Sequence, residues 1–595
     1  MACHLSEYKT KEIIEMAKRQ VRYLDVKPFS TIRELITMAA EESGDRVAYR
    51  FRHGQDIVDV TYREFYDDTQ HIGTGLATLG LDGLHVAMVG ENSYRWITVY
   101  LTMLQSKGVF VPVDKDLPEA DMIRVLRHSD AEVVFCSGKA ERFLLANKEK
   151  LPKVRYFVSL EAEEDDGNVL SYVRLRERGA AALRAGDRRY IDAEKNVEDL
   201  RMLVYTSGTT GLAKGVMLTE KNLCACAYNG LRVSDIGFES TGLSVLPYHH
   251  TYEAVPGLLV EIHRRCTMCI NENLMTVAKN LQFYKPDFVY LVPAFVEAFY
   301  KKIMTTAEEG NKSALLKMVA HASFISRKIG IKKVPAAFDT IIQMFGGNLR
   351  MIVCGGAPIR PELGKFFAAL GINLINGYGI TECSPLVSVN QLDYNSFETA
   401  GYPLPCVEVR LDNPDKNGIG EICVKGDTVM RGYYKQPAAT AEVMIDGWFH
   451  TGDFGMFNEN GQLLITGRKK NLIVLDNGKN IFPEEIEHYI QKIPYVQECV
   501  VFALRNENGI ETALAAEVYL SEEQLKKKKI TDPETALKND INKSTLLLPS
   551  YKHISRVFIR DREFEKTTTR KIRRSSCMYD PYAPKPASDE EEQDS

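Results

Sequence analysis

One short segment gathers hydroxyls, glycines and a lysine: Thr206, Ser207, Gly208, Thr209, Thr210 and Gly211, followed by Lys214 and Gly215. Glycines let backbone N–H groups converge without a Cβ in the way, and Ser and Thr hydroxyls add further donors. Such a loop makes a nest for phosphate oxygens, with Lys214 as a cationic clamp. The apolar run Met202, Leu203, Val204 leads into it as a strand would. The spacing excludes a P-loop of the form G-x-x-x-x-G-K-[ST]. After Gly208 the next glycine arrives too soon, and Gly215 stands where Ser or Thr would have to follow the lysine. The loop points to nucleotide chemistry of another kind.

Further groups fit for such chemistry follow in order. Gly355-Gly356-Ala357-Pro358 closes the apolar run Met351-Ile352-Val353-Cys354, and a strand ending in a backbone turn is where α/β sheets bind ligands. Gly377-Tyr378-Gly379-Ile380-Thr381-Glu382 brings an aromatic ring, a hydroxyl and a carboxylate within five residues. Downstream lie Gly447-Trp448-Phe449-His450-Thr451-Gly452-Asp453, Gly467-Arg468-Lys469-Lys470-Asn471, and Lys566-Thr567-Thr568-Thr569-Arg570-Lys571-Ile572. Upstream, Pro247-Tyr248-His249-His250-Thr251-Tyr252-Glu253 carries two histidines and a carboxylate. Taken singly, each has an ordinary reading: Tyr378 as turn packing after Asn-Gly, Asp453 as a turn residue, Arg468 and Lys571 as solvated cations, and the histidine pair as packing.

The elements that must position these groups alternate between helix and strand. Ile32, Leu35, Ile36 and Ala39 have helical spacing within a stretch from Thr31 to Glu42. Val86 to Val89 and Val109 to Val113 are short apolar runs of buried-strand type. Alternation of this kind predicts an α/β architecture: a large N-terminal domain, residues 1–467, with mostly parallel sheets layered with helices. From 468 the composition changes. Leu472 to Leu475 and Asn480 to Phe482 flank Asp476-Asn477-Gly478-Lys479, a hairpin signal. Pro483, Glu484 and Glu485 then open a helix whose apolar face is Ile486, Tyr489, Ile490 and Ile493. Residues 468–587 therefore read as a smaller, mobile α+β C-terminal domain, and 588–595 as a disordered acidic tail.

With 595 residues, 45% of them apolar and 26% charged, the chain has the composition of a globular protein of two or more domains. A net charge of −5 gives no drive toward nucleic acid. No signal-peptide pattern opens the chain, and no apolar stretch approaches the roughly 20 residues that cross a bilayer. The expectation is a cytosolic protein. The basic run at 526–529 reads as a solvated helix end or loop, with a peripheral membrane contact as the alternative. Twelve cysteines are scattered along the chain; Cys266-x-x-Cys269 sits in a strand-like apolar context, and Cys224-x-Cys226 is poor metal spacing. Both pairs read as small buried side chains. Nothing in the sequence sets an oligomeric state.

In order and in residue type, these motifs resemble those of the adenylate-forming enzymes, which include acyl-CoA synthetases, carrier-loading adenylation domains and luciferases; the resemblance spans roughly residues 30 to 575. His250 with Glu253 three places on looks like the long-chain fatty acyl-CoA branch. The resemblance implies two half-reactions, an acyl-adenylate made from a carboxylic acid and ATP with Mg²⁺, then a thioester with coenzyme A. It implies that the loop from Thr206 to Lys214 cradles phosphates, that Glu382 and Thr206 contribute oxygen ligands to Mg²⁺, and that Thr381 binds a phosphate. Gly356, Ala357 and the ring of Tyr378 beside Gly379 would form the adenine slot, with Asp453 at the ribose and Arg468 at the ribose or phosphate. Lys571 would stabilise charge during adenylation; Arg570 stands where glycine is commoner in the family, and Lys566 is the alternative lysine. Lys470 would be the hinge, and Gly478 would face the pantetheine arm after rotation. His250 and Glu253 would lie between acyl pocket and nucleotide. The implied substrate is a long-chain fatty acid. A shorter or aromatic acid, a carrier-protein thiol acceptor, and a non-catalytic nucleotide-binding regulator are the alternatives. The apolar residues Val289, Leu291, Val292, Phe295 and Phe299 suit a tunnel or a core equally.

Overall fold

The computed structural model describes residues 21–206, 213–475, 479–505, 510–566, 572–574 and 577. The first predicted helix runs over Ile32–Ser43, capped by Thr31, whose side chain accepts from the Glu34 amide. Ile32, Leu35, Ile36 and Ala39 are all buried, as their spacing requires.

Among the described residues two large sheets dominate. In one of eight strands, His85–Val89, Val109–Val113, Val133–Cys136 and Leu200–Thr206 run parallel, and one edge is finished antiparallel by Lys214–Thr219 and Gly432–Tyr433. In the other, of nine strands, Thr241–Ser244, Thr267–Ile270, Phe288–Leu291, Met351–Cys354 and Asn373–Gly379 are parallel. Fully buried, near-continuous apolar strands are what a sheet covered on both faces demands. Helix Tyr94–Gln105 fills the layer over the first sheet, its Trp96 ring packing on Phe110 and Tyr248.

A third sheet departs from the parallel expectation. Its strands Val407–Asp412, Gly420–Gly426, Trp448–Phe457 and Leu463–Arg468 are joined antiparallel. Beyond it the predicted hairpin pairs Ile473–Val474 with Asn480–Ile481, and helix Pro483–Ile490 follows. Strands Val496–Arg505, Glu511–Leu520 and Ile554–Arg560, with helix Pro533–Ser544, complete a smaller α+β unit with its own core. Helix Pro483–Ile490 rests against strand Leu463–Arg468, and the Phe454 and Phe482 rings lie 5.5 Å apart across that contact. Ion pairs Lys492–Glu362 (3.2 Å) and Lys527–Glu308 (3.0 Å) also tie the small unit to the large one.

Cys266, Cys269, Cys224 and Cys226 are all buried, as expected of small apolar side chains. The basic run at 526–529 closes a short helix, Glu522–Lys527, with Lys526 paired to Glu522.

Candidate active site

The three sheets of the larger unit meet at one place, and each delivers part of the predicted constellation there. In the eight-stranded sheet Thr206 and Lys214 are direct cross-strand partners, so the intervening loop is closed by a hairpin. Ser207, Gly208, Thr209, Thr210 and Gly211 lie outside the described residues, as do Gly478 and Lys571. The Lys214 ammonium sits 4.8 Å from the centre of the Tyr433 ring, on the edge strand of that sheet. A cation over an aromatic face gains from the ring quadrupole.

Tyr433 connects this sheet to the second. Its hydroxyl donates to Glu382 Oε1 at 3.0 Å. Glu382 follows the strand Asn373–Gly379 within the single 3₁₀ turn Thr381–Cys383, whose chain is pinned by the Met430 amide donating to the Glu382 carbonyl at 2.8 Å. Burial lifts the Glu382 carboxyl above its ordinary value; the Tyr433 hydroxyl and the charge of Arg468 act the other way. Among the described residues no lysine or arginine forms an ion pair with Glu382. A partly buried carboxylate without a cationic partner, beside a threonine-bearing hairpin, is a donor set of the hard oxygen kind that suits Mg²⁺.

Strands Met351–Cys354 and Asn373–Gly379 are in register, Cys354 opposite Asn376, so the turns after both emerge at one sheet edge. Gly356 takes φ +84°, a left-handed conformation that disfavours a side chain, and Ala357 beside it is half-buried. A Cβ on Gly379 would stand 2.3 Å from the Pro385 carbonyl oxygen, so only glycine lets the chain turn back there.

The third sheet supplies the last pair. Asp453 and Arg468 are cross-strand partners, and Arg468 Nε lies 3.1 Å from Asp453 Oδ1. The Tyr378 hydroxyl donates to Asp453 Oδ2 at 2.7 Å. Two donors from two sheets thus fix the orientation of a buried carboxylate. Arg468, which the resemblance implies at the ribose or phosphate, is half-exposed and ion-paired to Asp453.

Family models for "AMP-binding enzyme" and "AMP-binding enzyme C-terminal domain" match residues 36–434 and 470–584. The chain belongs to the AMP-binding enzyme family. It is 30% identical over 462 residues to the long-chain-fatty-acid–CoA ligase FadD15 of Mycobacterium bovis, covering 74% of this chain and 75% of that one. It is 29% identical over 492 residues to long-chain-fatty-acid–CoA ligase 5 of Mus musculus, covering 77% and 71%. Its fold matches that of the anthranilate CoA ligase AuaEII in complex with anthranoyl-AMP, with a TM-score of 0.73, 19% identity, and coverage of 92% and 96%.

In this AMP-binding enzyme the histidine segment, residues 247–253, is half-buried to buried throughout. His250 is half-buried with its ring 4.3 Å from that of His249. The neighbouring His249 faces Asp114 at 3.5 Å, and burial drives its imidazole down to about 3, so it is neutral at physiological pH. Glu253, which opens the π-helical segment Glu253–Val260, is fully buried and accepts from Ser244 Oγ at 2.5 Å. The alternative lysine, Lys566, is held by Glu498 and Glu563. Lys470 is exposed on the 3₁₀ turn Lys469–Asn471, and Lys469 beside it is anchored to Glu421 at 2.7 Å. Val289 and Leu291 are buried in the sheet core.

Two participants escaped the sequence reading. Tyr433 lay in no motif, and only its ring under Lys214 and its bond to Glu382 single it out. Tyr252 reaches the turn at Gly355 and Gly356: its hydroxyl donates to the Val353 carbonyl at 3.1 Å, and its ring would meet a Cβ on Gly355 at 3.2 Å. Its place within the histidine segment was the available signal.

Proposed function

We propose that this enzyme activates a long-chain fatty acid as its adenylate and passes the acyl group to coenzyme A, releasing pyrophosphate and then AMP. The observation that carries the reading is the continuous chain from Lys214 through Tyr433 to Glu382, beside Asp453 held between Tyr378 and Arg468. The first half-reaction brings a carboxylate oxygen to the α-phosphorus of ATP, an anion meeting a polyanion. The protein therefore has to supply positive charge and alignment, since there is little covalent work to do.

Lys214 and the loop residues Ser207 to Gly211 would hold the β- and γ-phosphates, and Thr381 a phosphate oxygen. Mg²⁺ bound by Glu382 and Thr206 would neutralise phosphate charge. Tyr433 would keep both Lys214 and Glu382 in place. The turn at Gly356 and Ala357, with the ring of Tyr378, would take the adenine, and Asp453, oriented by Arg468, the ribose hydroxyls. Lys571 would stabilise the charge on the reacting carboxylate and α-phosphate. His250, with Tyr252 behind the turn, would sit on the acyl side.

In the second half-reaction the coenzyme A thiol attacks the acyl carbonyl and AMP leaves. We propose that residues 468–587 rotate about Lys470 between the two steps, removing Lys571 and presenting the hairpin glycine Gly478 to the pantetheine arm. A hinge needs only a few residues able to absorb backbone rotation. The test is acid-dependent ATP–pyrophosphate exchange across saturated acids of increasing length, followed by thioester formation with coenzyme A or with a carrier-protein thiol. Exchange that peaks with long chains, and transfer to coenzyme A, are expected. Exchange with aromatic or short acids alone would move the substrate class, and no acid-dependent exchange would remove the catalytic reading.

A further inference from the structure

Helix Ser313–Lys328 shows an apolar stripe that none of the described residues covers. Its inner face is anchored: Ser323 Oγ donates to the Ala369 carbonyl at 2.8 Å, Ala320 is buried, and Leu316, Val319 and Phe324 pack on the core below. Outward it carries Leu315, Met318, Ala322 and Ile325, and Ile329 follows as its C-cap; the steps of three and four residues align all five on one helical face. Leu315 is 53% exposed, Met318 64%, Ile325 48% and Ile329 72%, and Ile331 just beyond is 52% exposed. Scattered exposed leucines are ordinary, but a contiguous stripe marks a contact surface.

The charge around the stripe identifies what would cover it. From 310 to 338 the chain contains Lys312, Lys317, Arg327, Lys328, Lys332 and Lys333 and no aspartate or glutamate, within a protein of net charge −5. Lys312, Lys317, Lys328, Lys332 and Lys333 are exposed. The nearest upstream carboxylate pair, Glu308 and Glu309, lies before this stretch, and Glu308 is occupied by Lys527 of the other basic run. A second copy docking symmetrically on the same face would oppose lysine to lysine, which disfavours a self-made dimer. An amphipathic helix with lysines flanking an apolar face is the form that lies in a membrane interface. No described helix is long and apolar enough to cross a membrane.

We propose that the outer face of residues 312–333 docks this enzyme on a bilayer surface bearing anionic headgroups, with Leu315, Met318, Ile325, Ile329 and Ile331 entering the headgroup boundary. The other basic run, at 526–529, which the sequence reads as a solvated helix end or loop, has Lys526 and Lys527 paired with Glu522 and Glu308. The proposal goes beyond the catalytic reading and holds or fails without it.

The experiment sediments the full-length protein with vesicles of phosphatidylcholine alone or mixed with phosphatidylglycerol. Binding to the mixed vesicles, weakened by salt, is expected. The triple variant Lys317→Glu, Lys328→Glu, Lys332→Glu removes three headgroup contacts and should lose on the order of 100-fold in affinity. The pair Met318→Ser, Ile329→Ser should abolish binding with acid-dependent exchange intact, since neither residue touches the active site. Ile325→Trp, close to the natural protein, should show a blue-shifted emission with mixed vesicles only. Absence of that shift, or equal binding by wild type and the charge variant, overturns the proposal. So does a dimer in sedimentation velocity that the serine variants dissociate, which would make the occupant a second copy.

Discussion

Replacing Tyr433 by phenylalanine removes a single hydroxyl and leaves the ring, and the structure gives that atom one task. It donates to Glu382 at 3.0 Å, while the ring face carries Lys214 at 4.8 Å. A hydrogen bond to a charged acceptor is worth about 1.5–3 kcal/mol. If it is needed at the adenylation transition state, Tyr433→Phe should slow acid-dependent ATP–pyrophosphate exchange by about 10- to 150-fold. Lys214 keeps its aromatic partner. Tyr433→Leu removes the ring as well, forfeiting a further ~0.5–2 kcal/mol of cation–π attraction, roughly another 2- to 30-fold. The two losses share a site, so they need not add. Because Tyr433 is buried, thermal melts must accompany the leucine variant, whereas phenylalanine preserves the packing. Thioester formation from supplied acyl-adenylate involves no pyrophosphate and should stay near wild type in Tyr433→Phe. Exchange within twofold of wild type, or equal loss in both half-reactions, would refute the reasoning.

Lys571→Ala should abolish pyrophosphate release yet leave thioester formation from supplied adenylate largely intact, measured by single-turnover assays of each half. Lys470→Pro should keep adenylation and depress thioester formation; wild-type rates in both halves would rule out the hinge at that residue. Burial, reinforced by the charge of Glu261, raises the Glu253 carboxyl from 4.5 to about 8, so the folded state holds a proton the unfolded chain releases. Its contribution is fully present below pH 4.5 and is lost as pH rises toward 8, at a cost of up to about 1.4 kcal/mol per pH unit. Glu253→Gln should therefore flatten the fall of the melting temperature between those limits, and an unchanged slope would show that Glu253 is ionised in the fold.

The sequence by itself determined the strand leading into the hydroxyl- and glycine-rich loop, the strand-to-turn junction at Gly355 and Gly356, and the helices beginning at Ile32 and Pro483. Each of these rests on local physics. Glycine relaxes φ, apolar runs seek burial, and Thr31 and Pro483 suit helix starts, so neighbouring residues suffice to read them. The candidate ligands were legible because their chemical types recur at short spacing.

Only the tertiary structure decided how those groups are shared among three sheets. Tyr433 is 51 residues from Glu382, and no local pattern announces that its hydroxyl ends there. The Asp453 carboxylate meets Tyr378, 75 residues away, for the same reason: strands distant in sequence converge where their sheets abut. Likewise only the tertiary structure pairs the buried Glu253 carboxyl with Ser244, on a strand nine residues upstream. The antiparallel third sheet was missed because its strands alternate with loops much as parallel ones do, and periodicity records burial, whereas strand direction is set by the connections. Side-chain chemistry is written locally; which groups face one another is settled by long-range packing.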